Sequence, residues 1–250
     1  MVRSIGWWGF LFFLFAPPGI SLLAQGPMDP GASVSRNPAL SVKKDSLCGG
    51  DYTVEDSSWF DLASFLPPVF RDRITLEKYL RDRRFQRIRT LCGDTLAVDE
   101  IFAKAVEIAD GSTGYALLLA ALATFDHHRL GVIVPLIGVI SFPLAIESRP
   151  DYAIRYSHLP RRVLPDSAGR HRRDRDKLQH FFGSAYLAYE SDSKSFAQFV
   201  GDFVEWGEPR FIVGGDYDER DKYANRLGEE FGMRLLDGEK LLPSDILWGK

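Results

Sequence analysis

Asp176 and His180 stand four residues apart in Asp176-Lys177-Leu178-Gln179-His180-Phe181-Phe182-Gly183-Ser184-Ala185-Tyr186-Leu187-Ala188-Tyr189, an otherwise apolar run with a helical period. On a helix that spacing sets both polar heads on one face, where a carboxylate can orient an imidazole for acid–base work or share a cation with it. A further carboxylate, Glu205, follows in a run with Phe199, Val200, Phe203 and Val204, with Gly201 one turn earlier. Asp221, Asn225, Gly228 and Gly232 then fall at i, i+4, i+7 and i+11, along one face of another helix. Glycines on a helix face let a neighbour approach closely. If that neighbour is the helix of Asp176 and His180, then Asp176, His180, Glu205 and Asp221 converge with Asn225 in a small polar pocket.

Such a constellation has a structural reading and a chemical one. Asp176 at a helix start can cap it or accept from His180 one turn on, and a histidine on an apolar face must find a partner. The leading expectation is therefore a buried polar network, without a cofactor, that locks three helices together. The alternative is a metal-dependent or acid–base hydrolase acting on an envelope lipid or cell-wall component. There Asp176, His180, Glu205 and Asp221 hold one divalent metal ion or carry protons, with Asn225 beside them. The spacing is less specific than a zinc-protease His-Glu-x-x-His or a di-iron bundle motif. Asp216, Asp218 and Asp221 do not make a calcium loop, since Arg220 stands where an oxygen ligand is required and no Glu closes the loop.

The elements that position these residues read as helices. Thr75 to Leu91 carries Leu76, Tyr79, Leu80, Ile88 and Leu91 near a 3.6 period and ends at Gly93, and Asp99 can cap a helix from Glu100 to Ala109. Asp110-Gly111-Ser112 breaks and recaps the chain into Tyr115 to Phe125. Gly114 to Ile146 is the most apolar stretch after the first residues, in two halves separated by Asp126-His127-His128-Arg129. Each half is shorter than the about 20 residues a spanning helix needs, and the second carries Pro135 and Pro143. A buried helical hairpin is expected, with a membrane-dipping hairpin as the rival. Tyr52 to Val69 reads as an irregular covering segment and Pro150 to Arg175 as a long surface loop. Helices follow over Lys177 to Tyr189, Ser195 to Trp206 and Asp218 to Leu235, with a turn or one short strand around Phe211 to Gly215. The fold class is mainly α: a compact helical domain of about six or seven helices with long irregular connections.

With 31 Lys plus Arg against 34 Asp plus Glu, the chain has a net charge of −3, which gives no electrostatic case for nucleic acid as a partner. The balance is uneven: Arg155 to Lys177 holds eight basic residues against three acids, and Leu178 to the end holds fourteen acids against eight bases. Opposed or solvated surfaces are the plain explanation. An anionic lipid or phosphate at Arg161, Arg162, Arg170, Arg172, Arg173 and Arg175, with peripheral membrane contact, is the functional one.

Residues 1–24 read as a secretory signal: Arg3, an apolar core from Trp7 to Phe15, Pro17-Pro18-Gly19, and Ala24 before the cleavage point. Residues 25–46 have a linker composition, and 47–250 form a single helical domain. Export to the periplasm or cell envelope is expected, with an uncleaved amino-terminal anchor in the inner membrane as the alternative. In an oxidising compartment Cys48 and Cys92 can form a bridge, and two buried free thiols are equally compatible with the pattern.

Asp176-Lys177-x-x-His180-Phe181, the acidic helix centred on Glu205, and Asp221-x-x-x-Asn225-x-x-Gly228-x-x-x-Gly232 together resemble the paired signatures of the VanZ-like family and the related YfiM-type envelope lipoproteins. The resemblance covers Arg175 to Arg234. It implies a helical envelope protein of unestablished activity, one branch of the family being associated with glycopeptide resistance. The chain departs from both groups: Ser191 to Glu208 carries Asp192, Lys194, Asp202, Glu205 and Glu208, too polar to span a bilayer, and no lipid-anchoring cysteine follows the cleavage point. Resistance is therefore not carried over.

Overall fold

The computed structural model describes residues 66–134, 138–167, 174–213 and 218–249. The expectations for residues 1–24 and 25–46, for most of Tyr52 to Val69, and for Cys48, Arg170, Arg172, Arg173 and Asp216 lie outside the described residues.

Among the described residues, eight helices and one two-stranded hairpin make a mainly α fold. Helix α1 (Pro68–Arg81) starts on a proline pre-set for the first turn and stops where Asp82 turns extended, at ψ 144°. The Asp82 carboxylate caps α2 (Arg83–Ile108) by accepting from Arg84 N. The single helix expected from Thr75 to Leu91 is thus two, because a capping aspartate interrupts the apolar period. Inside α2, Gly93 leaves helical geometry at φ 90° and ψ 170°, so the first helical run ends there as expected and a second run follows at once across the kink. Asp99 consequently starts no helix. Buried in α2, it accepts from Ser244 N at 2.8 Å and so holds the amino end of α8 (Pro243–Leu247).

Helix α3 (Thr113–Ala123) has buried residues around its whole circumference, as its Ala/Leu sequence demands, and forms the centre of the core. The second half of the apolar stretch is not helical. Strands β1 (Arg129–Val134) and β2 (Gly138–Pro143) pair antiparallel, Val132 opposite Ile140 and Ile133 opposite Val139, with Gly138 at a φ of 99°. β-Branched residues fit a pleated ribbon better than a helix, and Gly138 and Pro143 fall at its ends. This overturns the expected helical hairpin over Gly114 to Ile146. Among the described residues no helix is long and apolar enough to cross a membrane.

Much of the expected loop from Pro150 to Arg175 is also helical: Ser148 caps α4 (Arg149–His158) by accepting from Asp151 N, and Pro150 occupies the first turn. Three long helices complete the fold, α5 (Arg175–Ser191), α6 (Lys194–Phe211) and α7 (Glu219–Leu236). Phe181 and Phe182 of α5 meet Phe102 of α2 and Phe231 of α7 in one aromatic cluster, with Phe231 at 5.3 Å from both Phe102 and Phe181. Beyond α6, Ile212 bridges to Val132, so the end of that helix is tied to the hairpin.

Candidate functional site

Helices α5 and α7 pack unusually close, and the glycine face is the reason. A Cβ added at Gly228 would stand 2.1 Å from Phe181 O, and one at Gly232 would stand 2.2 Å from Ala185 O. Any larger residue at either position would strike backbone. The same face carries Asp221 and Asn225, which are thereby pressed against α5. Gly201 gives α6 a similar approach, since a Cβ there would lie 3.1 Å from Asn225 Nδ2.

The close packing brings His180, Glu205 and Asp221 together from α5, α6 and α7. One ligand atom from each lies within 4.8 Å of the others. His180 Nδ1 is 3.6 Å from Glu205 Oε1 and His180 Nε2 is 3.4 Å from Asp221 Oδ1, both beyond the usual about 2.7–3.2 Å of a direct N–H···O bond. The side chains are 11%, 0% and 8% exposed for His180, Glu205 and Asp221, so the cluster is nearly closed and its outward edge is the imidazole.

Asp176 takes another course. It lies in the first turn of α5, Asp174 occupies the N-cap position, and the Asp176 carboxylate accepts from Lys177 Nζ at 2.7 Å rather than from His180. Lys177 is the residue that sequence reasoning left out of the site. Its buried ammonium meets three carboxylates, Asp176 at 2.7 Å, Asp218 at 2.6 Å and Asp221 at 2.7 Å, one for each N–H. Burial disfavours that charge, but the three carboxylates outweigh it and hold the ammonium above its usual range. Asp218 is pulled below the usual carboxylate range by Lys177 and Arg220 N against the opposing effect of burial, whereas burial pushes Asp176 up. A signal for Lys177 was present: it shares a helical stripe with Phe181, Ser184, Ala185 and Ala188, all buried, where a lysine needs counter-charges.

Asn225 sits one turn below Asp221 and accepts from Ser184 Oγ at 3.0 Å, so its carbonyl is spent on tying α7 to α5. The two histidines of the α3–β1 connection do not form a pair: His127 Nδ1 faces Asp126 Oδ1 at 2.5 Å, and His128 Nε2 lies 3.2 Å from Glu147 O. Of the arginines expected on a surface loop, Arg161 and Arg162 are exposed while Arg175 is buried, since it opens α5. Cys92 is disulfide-bonded, and no free cysteine is present among the described residues.

Set against known proteins, the chain matches no family model, no curated protein and no solved structure.

Proposed function

We propose that this chain is an exported helical protein of the cell envelope whose working part is a divalent-cation site made by His180, Glu205 and Asp221. The observation that carries the reading is the convergence of one imidazole nitrogen and two carboxylate oxygens from three helices within 4.8 Å of one another. Donors at roughly 2.1 Å from a tetrahedral metal stand roughly 3.4 Å apart, and His180 Nε2 and Asp221 Oδ1 are separated by 3.4 Å. A nitrogen and two oxygens suit zinc, manganese or ferrous iron and do not suit a soft cuprous ion. Charge favours the same conclusion. Lys177 and His180 meet four carboxylates here, Asp176, Glu205, Asp218 and Asp221, an acid-rich lining of the kind a hard divalent cation takes. Lys177 fixes Asp221 by contacting at 2.7 Å the same Oδ1 that faces His180 Nε2, a partner that positions a ligand carboxylate.

The export part of the proposal rests on the signal-like residues 1–24 and on the bonded Cys92, since disulfides persist in oxidising compartments. The likeness of Asp176-Lys177-x-x-His180-Phe181 and its partner helices to the VanZ-like and YfiM-type signatures supports an envelope location.

A second reading is favoured by one detail, that the two ring nitrogens of His180 face different carboxylates. That arrangement suits a metal-free acid–base centre, the hydrolase alternative. Equilibrium dialysis of the metal-stripped protein separates the two. The cation site predicts one equivalent of zinc or manganese bound by the parent and none by His180→Ala. The metal-free centre predicts less than a tenth of an equivalent in either protein.

A further inference from the structure

At the carboxyl end of α4 the chain gathers basic side chains from several elements. Arg89 comes from α2, Arg175 opens α5, and Arg161 follows α4 directly. Arg175 is 4% exposed, its guanidinium lies 4.4 Å over the Tyr156 ring, and its Nη2 donates to Ser157 O at 3.5 Å. Arg89 Nη1 donates to Leu159 O at 3.4 Å. These long bonds engage one outer nitrogen of each group with the last carbonyls of the α4 region. The Nε atoms of both Arg89 and Arg175 are buried and make no hydrogen bond among the described residues.

Of the carboxylates nearby, Asp174 accepts from Arg220, Val163 N and Leu164 N, and Asp166 accepts from Arg220. Asp94 accepts from Arg162 N at 2.9 Å and is a counter-charge to Arg89. Arg89 shows the consequence: burial, then the charges of Arg161 and Arg175, hold its pKa below the usual range against the pull of Asp94. His158, on the same turn, is likewise depressed by burial and by Arg89, with a hydrogen bond to Leu80 O opposing. A group of cations that repel one another while two buried N–H donors go unused is an incomplete arrangement. What completes it is an anion with several acceptor oxygens, and guanidinium forks match phosphate geometry. The partial negative charge at the end of α4 opposes an anion, but the guanidinium groups already cover Ser157 O and Leu159 O.

We propose that Arg89, Arg161 and Arg175 form a binding site for a phosphate monoester or inorganic phosphate, seated where α2, the end of α4 and the start of α5 meet. The site is separate from the His180 cluster and does not depend on a metal there.

Thermal unfolding of the full chain in inorganic phosphate against chloride at equal ionic strength is the test, on the parent and on a double variant, Arg89→Gln with Arg161→Gln. Arg175 is left intact because its stacking on Tyr156 belongs to the core. The expected result is a rise of several degrees in phosphate for the parent, saturating with concentration and absent in the double variant. Without phosphate the double variant should melt at the parent temperature or above it, because like charges have been removed. Flotation with vesicles of phosphatidic acid in phosphatidylcholine, compared with phosphatidylcholine alone, identifies the source. Binding that needs both phosphatidic acid and the two arginines assigns a lipid headgroup, and a phosphate shift without flotation assigns a soluble phosphate. Equal melting of the parent in phosphate and chloride overturns the proposal, as does a phosphate shift that survives in the double variant.

Discussion

Arg155, fully buried, and His180, mostly covered, are both ionisable and held by residues from beyond their own helices, yet their surroundings differ in kind. The Arg155 guanidinium, 0% exposed, pairs with Glu147, donates to Ala123 O at 2.8 Å and to Phe125 O at 3.1 Å, and lies 5.1 Å over the Tyr152 ring. Arg81 holds the other Glu147 oxygen at 2.5 Å, and nearby Arg73 donates to Glu77 at 2.8 Å and to Leu144 O at 2.6 Å. Three guanidinium groups share two carboxylates there, with Asp151 at 4.0 Å from Arg81, and the Ala123, Phe125 and Leu144 carbonyls take up further donors, while Arg155 Nη2 and Glu77 Oε2 make no hydrogen bond among the described residues. Around His180 the contacts to Asp221 and Glu205 stretch to 3.4 and 3.6 Å. The first region closes on itself and joins α1, α3 and α4. The second is drawn together by backbone contact at Gly228 and Gly232 and by the Lys177 and Ser184 links from α5, so its cohesion rests little on His180 itself.

That contrast can be broken in graded ways. The largest effect is expected from Arg155→Met, which leaves Glu147 and the Ala123 and Phe125 carbonyls without their buried donor and should cost about 3–5 kcal/mol in urea unfolding. A loss below about 1 kcal/mol would show that the Arg155 network contributes no more than a surface pair. Next comes Gly228→Ala. Its new Cβ is driven against Phe181 O, which should cost about 1–3 kcal/mol and weaken cation binding at the same time, because α7 can no longer present Asp221 at the same depth. Unchanged cation affinity in that variant would separate the glycine face from the site.

A smaller effect is expected from His180→Ala in metal-free buffer. Its long contacts contribute little cohesion, so unfolding should change by no more than about 1 kcal/mol. Smallest is Glu229→Gln, which removes a buried carboxylate of α7 that belongs to neither cluster. Burial lifts the Glu229 pKa, with Lys194 and Arg226 opposing and Asp202 assisting. A carboxyl whose folded pKa is raised contributes stability that is fully present below its unfolded pKa and is lost as pH rises through the folded value. The parent should therefore lose stability relative to Glu229→Gln as pH climbs above about 4.3, the unfolded glutamate value. Parallel stability curves for the two proteins would remove the buried charge from the account.

The sequence was most readable where side chains repeat on one helix face. Asp221, Asn225, Gly228 and Gly232 announce a close helix contact, and the α5–α7 packing follows from it. It was least readable where an apolar run lacks a period. Gly131 to Pro143 contains enough Val and Ile for either a buried helix or a ribbon, and cross-strand pairing decided between them. Arg155 was hidden for a different reason: it stands among prolines and arginines that look solvated, and nothing local reveals that Glu147 and the end of α3 come to meet it. Lys177 could have been found, because a lysine in line with Phe181, Ser184 and Ala188 has to be neutralised. Asp176, by contrast, has the spacing to reach His180 but is drawn away by the adjacent ammonium, which spacing alone does not weigh.

Under the proposed function the His180 cluster holds a cation and the Arg155 network does not. Thermal unfolding of the metal-stripped parent, His180→Ala and Arg155→Met with and without zinc or manganese tests this most directly. At about a hundredfold excess over the dissociation constant, the parent should gain about 2.7 kcal/mol. Arg155→Met, if folded, should gain the same from its lower baseline, and His180→Ala should gain nothing. Equal gains in the parent and His180→Ala, or no gain in the parent with either metal, would contradict the account.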